Sequence, residues 1–399
     1  MATDALPIYL DNAATTAVAP EVLGAMLPYF DKDFANASNR AHAPGRAARR
    51  AVEDAAQQLA ALLHVDPAEL TWTSGSTEAI NLGIKGAARR HRRRGRHILT
   101  CATEHSAVLE TCRALAAEGF ELSVLPVDRD GRVDPGELTA ELREDTTVCA
   151  VMSVNNETGV LHDLRAIAQH CAANGTLLFC DATQSVGKHD FRPDDLGIDM
   201  VAASAHKFHG PKGIGALWTR SRPTPVRLTA QTHGGSQQGG LRPGTLNVPA
   251  IVGMGAAAAW AAQRLDTAGR AAAERQRELE SRLRAEIPAA YVHGAATSRS
   301  AYITSVCVPH VSAEQLLGRI GDRLALSTGS ACADGDLDPS HVLLAMGVDE
   351  RSAKSTVRIS QGLLTTDAEI DGAVRLLAME VAELRSESPA WELYLDGVL

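Results

Sequence analysis

A lysine stands just beyond a short apolar run: Asp199-Met200-Val201-Ala202-Ala203 is followed by Ser204-Ala205-His206-Lys207-Phe208-His209-Gly210-Pro211-Lys212-Gly213. The run has the length of a buried strand, and Ser204, His206 and a Gly-Pro-Lys-Gly turn flank the lysine. Burial disfavours an ammonium ion, so Lys207 can act as a neutral nucleophile near neutral pH. A surface lysine opening a turn has the same local spelling, so other parts of the chain must decide.

A second nucleophile candidate is Cys332, within Leu326-Ser327-Thr328-Gly329-Ser330-Ala331-Cys332-Ala333-Asp334-Gly335-Asp336-Leu337-Asp338-Pro339. Small, polar and Gly-containing neighbours predict a mobile exposed loop, where a thiol can reach its thiolate form. The chain has seven cysteines, an odd number without a C-x-x-C pair, which fits neither a disulfide framework nor a zinc site. Five lie in apolar segments, where a free thiol packs as a small hydrophobe.

Anion-binding chemistry is available at Ser74-Gly75-Ser76-Thr77-Glu78, between a strand over 70–73 and a helix over 79–90. Free N–H groups and hydroxyls at a helix start suit a phosphate, although the same residues make a plain N-cap. The basic run from Arg89 to Arg96 closes that helix, where cations complement the dipole, and reads as a solvated helix end.

These residues require a scaffold. Strands are expected over 97–102, 122–127, 148–154, 177–180, 199–203 and 214–218. Helices over 106–118, 137–142 and 164–173 alternate with them, which argues for a mostly parallel α/β sheet. Ligands gather at the C-terminal ends of such strands, and Thr77, His105, Asn156, Asp181, Gln184 and Lys207 all fall there. Upstream are a short strand over 8–10 and helices over 20–30 and 47–63. A glycine-rich loop, Gly234 to Thr245, has the composition of a functional loop. One long helix over 256–286 is expected to bridge to a second unit, with a strand over 303–308 and helices over 313–320 and 367–385.

The totals limit the function classes. Hydrophobic residues make up 45% of 399, which allows a large core, and the net charge of −9 does not favour direct nucleic-acid binding. No stretch is long and apolar enough for a membrane span, and Met1-Ala2-Thr3-Asp4 lacks a signal-peptide pattern, so a reducing cytoplasm is the expected location.

Taken together and in order, the motifs resemble the cysteine desulfurases of the class V aminotransferase superfamily, which use pyridoxal 5'-phosphate (PLP). The likeness runs from Leu10-Asp11-Asn12-Ala13-Ala14-Thr15-Thr16 to Ser388-Pro389-Ala390-Trp391-Glu392. It rests above all on Asp-Ala-Thr-Gln-Ser, His-Lys-x-x-Gly-Pro-Lys-Gly and Ser-x-Gly-Ser-Ala-Cys. The long loop after the cysteine is similar to the iron–sulfur and nitrogenase group, not to the group with an Arg-x-Gly-His-x-Cys signature.

This resemblance implies the PLP-dependent transferase fold of type I. Residues 15–258 would form a large domain around a mostly parallel seven-stranded sheet. Residues 1–14 and 259–399 would form a smaller α/β domain carrying the cysteine loop at about 326–340. Lys207 would hold the cofactor covalently and move protons at the substrate Cα. Asp181 would pair with the pyridine N–H, and His105 would be catalytic, stacking on the ring and taking part in proton transfer. Gln184 and Asn156 would bond near the phenolic oxygen. Ser76, Thr77, Ser204 and His206 would bind the phosphate, with Thr245 reaching in from the second subunit of a homodimer. Arg358 and Asn156 would hold the substrate L-cysteine. Cys332 would take the sulfur as a persulfide, release L-alanine and pass the sulfur to an acceptor protein.

Phe34-Ala35-Asn36-Ala37-Ser38 departs from the family's usual Phe-Gly-Asn-Pro-Ser loop, and Pro243 stands where serine is common. The sequence ends at Leu399 without the longer tail by which some iron–sulfur desulfurases hold a scaffold partner. The destination of the sulfur therefore stays open between iron–sulfur assembly and another route such as DNA phosphorothioation or tRNA thiolation. A different PLP lyase or aminotransferase of the same fold is the chemical alternative, and an inactive scaffold is the non-enzymatic one.

Overall fold

A computed structural model describes residues 7–328 and 338–397. Its strands, in chain order, are β1 (Ile8–Tyr9), β2 (Leu70–Thr73), β3 (His97–Cys101), β4 (Glu121–Leu125), β5 (Thr146–Ala150) and β6 (Leu177–Asp181). They continue with β7 (Met200–Ser204), β8 (Gly215–Thr219), β9 (Tyr291–Val292), β10 (Ile303–Cys307), β11 (Leu324–Ala325) and β12 (Thr356–Ser360). Seven of them form one sheet in the order β2-β8-β7-β6-β5-β3-β4. Neighbours from β7 through β4 pair parallel, while β8 runs antiparallel to both β7 and β2. This is the mostly parallel seven-stranded α/β architecture expected from the sequence.

Both faces of the sheet are covered, which explains why its strands are apolar without alternation. Ile98, Val148, Phe179, Met200 and Leu217 pack with helices Ser76–His91 and Ser106–Ala117 on one face. Their neighbours Leu99, Cys149, Cys180, Val201 and Trp218 pack on the other, against helices Ala43–Leu63, Leu164–Asn174 and Val248–Ala262. Each fully buried side chain of this size contributes about 1.5–3 kcal/mol. A second core collects Leu10 with residues from Leu279 to Leu384, around the antiparallel sheet β12-β10-β9. No described helix is long and apolar enough to cross a membrane.

Two helices differ from expectation. The segment over 256–286 is not one helix: Val248–Ala262 ends at Gln263 and Leu265–Glu286 begins after Arg264. The first is buried nearly all round and the second is amphipathic, so each needs a different orientation to the core, and alanine-rich composition conceals the break. Likewise 20–30 divides into Pro20–Met26 and Pro28–Asp31, because Pro28 cannot continue a helix and instead starts one.

Candidate active site

The strand ends of the large sheet converge on a cavity of about 420 Å³. Its lining includes Ser76, Thr77, His105, Asn156, Asp181, Gln184, His206, Lys207 and Arg358, nine of the positions singled out from the sequence. Ser204 lies just behind it, buried at the end of β7. Thr245 is exposed and is not part of the lining. Cys332 lies outside the described residues.

Lys207 follows β7 in a single 3-10 turn, Ala205–Lys207. Its Nζ donates to the carbonyls of Ala13 and Ala14 at 2.6 and 2.7 Å. Burial and the nearby Arg358 guanidinium lower its pKa to about 8, against the opposing pull of Asp181 and Asp11. The neutral amine is therefore far more accessible than in an ordinary lysine. His206 is lowered to about 4, by burial first and then by Lys207, Lys212 and Lys188, so at neutral pH it is an uncharged ring. Its Nδ1 lies 3.0 Å from Thr15 Oγ1.

At one end of the cavity, helix Ser76–His91 starts after Gly75 with no side chain capping it. Its first N–H groups have no partner within the helix, and Ser76 and Thr77 add hydroxyls beside them. β8 passes close behind this turn: a Cβ on Gly215 would lie 2.7 Å from Gly75 Cα and 2.6 Å from the Ala203 carbonyl, so only glycine fits. The glycine-rich loop is fastened to the same place. Gln238 bonds both backbone groups of Trp72, at 2.6 and 2.9 Å, and Arg242 pairs with Glu78 at 2.9 Å.

Asp181 ends β6, where its Oδ1 accepts from the N–H and the hydroxyl of Thr183. His105 caps helix Ser106–Ala117, with Nδ1 accepting from Ala107 N–H at 3.1 Å, and burial lowers its pKa. Gln184 is held between Lys188 Nζ, which donates to its Oε1, and the Ala13 carbonyl, to which its Nε2 donates, both at 2.9 Å. Asn156 lines the cavity with a buried Oδ1 that has no hydrogen-bond partner. Arg358, on β12, is fixed by Asp11 and by the Asn156 carbonyl, each at 2.8 Å.

Several members of the site carried no separate signal in the sequence. Asp11, Glu157, Thr183 and Lys188 gain their place only through tertiary contact. The Pro339-Ser340-His341 start of helix His341–Ala345 was a usable sign, because a proline and a capping serine mark a helix start directly after the cysteine segment.

Glu104, beneath His105, is completely buried, and burial raises its carboxyl well above the usual range. One oxygen accepts from Met152 N–H, a bond that a neutral amide oxygen can also accept. With a raised folded pKa, native Glu104 keeps its proton while the unfolded chain loses it, so this group's contribution is full below about pH 4.5 and falls as pH rises. Glu104→Gln should therefore change stability by less than about 1 kcal/mol at low pH. Above that it should flatten the decline of Tm with pH, a comparison that thermal unfolding between pH 4 and 8 checks.

A family model described as aminotransferase class-V matches residues 8–372. The chain belongs to that family. It is 46% identical over 397 residues to the "Cysteine desulfurase IscS" of Anaeromyxobacter sp. (strain Fw109-5), covering 98% of this chain and 97% of the relative. Its fold is similar to that of a NifS-like protein, with a TM-score of 0.86 and 34% identity over 94% of this chain and all of the other. It is similar also to DndA from Streptomyces lividans, with a TM-score of 0.74 and 37% identity over 90% and 99% of the two chains.

The cofactor of this class-V aminotransferase family member is PLP, and the cavity fits it. An uncapped helix start with two hydroxyls suits the phosphate, the Asp181 carboxylate suits a ring N–H, and the unpartnered Asn156 Oδ1 awaits a donor. Lys207 supplies an amine with a lowered pKa.

Proposed function

We propose that this protein is a cysteine desulfurase that converts L-cysteine to L-alanine and passes the sulfur, as a persulfide on Cys332, to an acceptor protein of iron–sulfur cluster assembly. The observation that carries this reading is a cavity holding Lys207 and Arg358 in a chain 46% identical, over nearly its whole length, to a cysteine desulfurase. When bound, PLP draws electrons from the substrate Cα, making that position and its neighbour reactive. Lys207 holds the cofactor and moves the Cα proton. Asp181 keeps the ring nitrogen protonated, and His105 faces the ring. Gln184 and Asn156 bond near the phenolic oxygen, and Ser76, Thr77, Ser204 and His206 bind the phosphate.

Arg358 binds the substrate carboxylate, and its guanidinium plane is held for that task by Asp11 and the Asn156 carbonyl. Lysine cannot reproduce a planar fork with three partners. Arg358→Lys should raise the KM for L-cysteine by about 10–100-fold, equivalent to losing one strong charged hydrogen bond, with a smaller change in kcat. Steady-state alanine formation measures both.

The protein is read as a cytoplasmic homodimer. Leu23, Leu27, Phe30 and Phe34 are exposed apolar side chains, Phe34 at 76%, and a second copy would cover them. Thr245, exposed and outside the cavity, is then free to complete the partner's phosphate site. The second core supports a smaller domain made of residues 1–14 and 259–399, beside the cofactor domain of 15–258. The similarity to DndA favours one other destination for the sulfur, DNA phosphorothioation, with unchanged chemistry.

The test is to incubate the purified protein with PLP and ³⁵S-labelled L-cysteine without reductant, measure alanine, and then offer a purified iron–sulfur scaffold protein; a parallel sample with an added thiol reductant reports sulfide. Label moving to the scaffold supports the full reading. Alanine without that transfer removes the iron–sulfur destination, and no alanine removes the desulfurase.

A further inference from the structure

His341 lines the same cavity as His105, and the two rings are held in opposite ways. His341 Nε2 lies 3.0 Å from the Glu104 backbone carbonyl. A carbonyl only accepts, so the neutral ring carries its proton on Nε2 and keeps the lone pair on Nδ1. His105 Nδ1 lies 3.1 Å from Ala107 N–H, which only donates, so in that ring the Nδ1 lone pair is used and Nε2 carries the proton. Glu104 and His105 are consecutive, so one short stretch of backbone fixes both tautomers. The cavity wall therefore offers an N–H donor on His105 and a basic lone pair on His341.

His341 is tied to the carboxylate-binding side of the cavity through its neighbours. Arg358 Nη1 donates to the Asn156 carbonyl, Glu157 is the next residue, and Ser340 Oγ donates to Glu157 Oε2. His341 follows Ser340 directly. A continuous line of bonds thus runs from the carboxylate-binding arginine to His341. Glu157 and His105 are ionisable neighbours of the ring among the described residues, and Glu157 is buried with its carboxyl raised toward the neutral form.

We propose that His341 is a further catalytic base of the desulfuration, accepting the proton of the substrate thiol on Nδ1; this rests on the desulfurase reading. Before reaction the substrate S–H donates to Nδ1, which keeps the sulfur protonated and aimed. The attacking enzyme thiolate then forms the S–S bond, and the Sγ–Cβ bond breaks with its electron pair left on Cβ. The resulting persulfide is a stronger acid than the thiol, so its proton passes to His341. His341 gives that proton to Cβ, which completes the methyl group of alanine and leaves a persulfide anion. Atoms and charge balance without an external oxidant or reductant.

Two measurements test this. Histidine-selective ¹⁵N NMR of the unliganded protein, assigned with His105→Asn and His341→Gln, should show the Nε2–H form for both rings, with the His341 Nδ1 an unprotonated acceptor. Protonated Nδ1 in neutral His341 would overturn the proposal. His341→Gln retains a donor for the Glu104 carbonyl and removes the lone pair. It should lower kcat for L-cysteine by about 10²-fold or more, the usual scale of a proton-transfer group, while the bound cofactor's visible absorbance is kept. L-selenocysteine is ionised at neutral pH and brings no proton, so the same variant should lose much less with it. An equal loss on both substrates, or an unchanged kcat, sinks the role of His341. A wild-type protein that makes no alanine from L-cysteine instead refutes the desulfurase reading, whatever the tautomers.

Discussion

Cys332→Ala should retain PLP and bind L-cysteine while sulfide release falls on the order of 10³-fold or more, because a nucleophile that forms a covalent intermediate has no substitute. The six other cysteines cannot replace it. All are buried. Burial pushes the thiols of Cys101 and Cys112 up to about 12, which leaves roughly one thiolate in 10⁵ at pH 7. Cys149, Cys180 and Cys307 are raised as well, Cys149 mainly by its bond with Cys171 and the others mainly by burial. The measurement is alanine formation, and sulfide formation with an added thiol that reduces the persulfide, with a visible spectrum recorded on the same sample. A variant that keeps its spectrum and loses sulfide supports the persulfide route. A variant that still forms sulfide at the wild-type rate removes Cys332 from the mechanism and revives the lyase or aminotransferase alternative.

The parts of this site that the sequence displayed are those whose chemistry stands beside their own strand. Asp181 is the last residue of β6, Ser204 the last of β7, and Lys207 comes three residues later, so an apolar run followed by polar residues was enough to place them. A parallel sheet makes this possible, since every crossover returns the chain to the same edge. Other members depend on partners far along the chain. Asp11 meets Arg358 across 347 positions and Glu157 meets Ser340 across 183, and no local pattern announces either pairing. β9 and β11 have two residues each and no periodicity to detect. The divided helix at 263–264 was hidden for a different reason: both halves are good helix formers, and only their differing burial separates them.

Lys207→Ala should abolish the visible absorbance that a covalently held cofactor gives and lower activity by roughly 10²–10⁴-fold from lost proton transfer alone, with further loss from weaker cofactor retention. The wild-type amine also makes a prediction about pH. Attachment requires neutral Lys207, and burial together with Arg358 sets its pKa at about 8. Raising pH removes the proton, so the rate at which apo protein gains absorbance on adding PLP should climb about tenfold per unit below pH 8 and level off above it. An unperturbed lysine would keep climbing past pH 10. Arg358→Gln tests the cause: removing a cation that disfavours the ammonium form should raise the Lys207 pKa and move the plateau to higher pH. A plateau that stays in place would show that burial alone lowers the pKa. One that moves down would overturn the electrostatic account, because losing the Arg358 cation, with Asp11 as an anion nearby, can only favour the ammonium form.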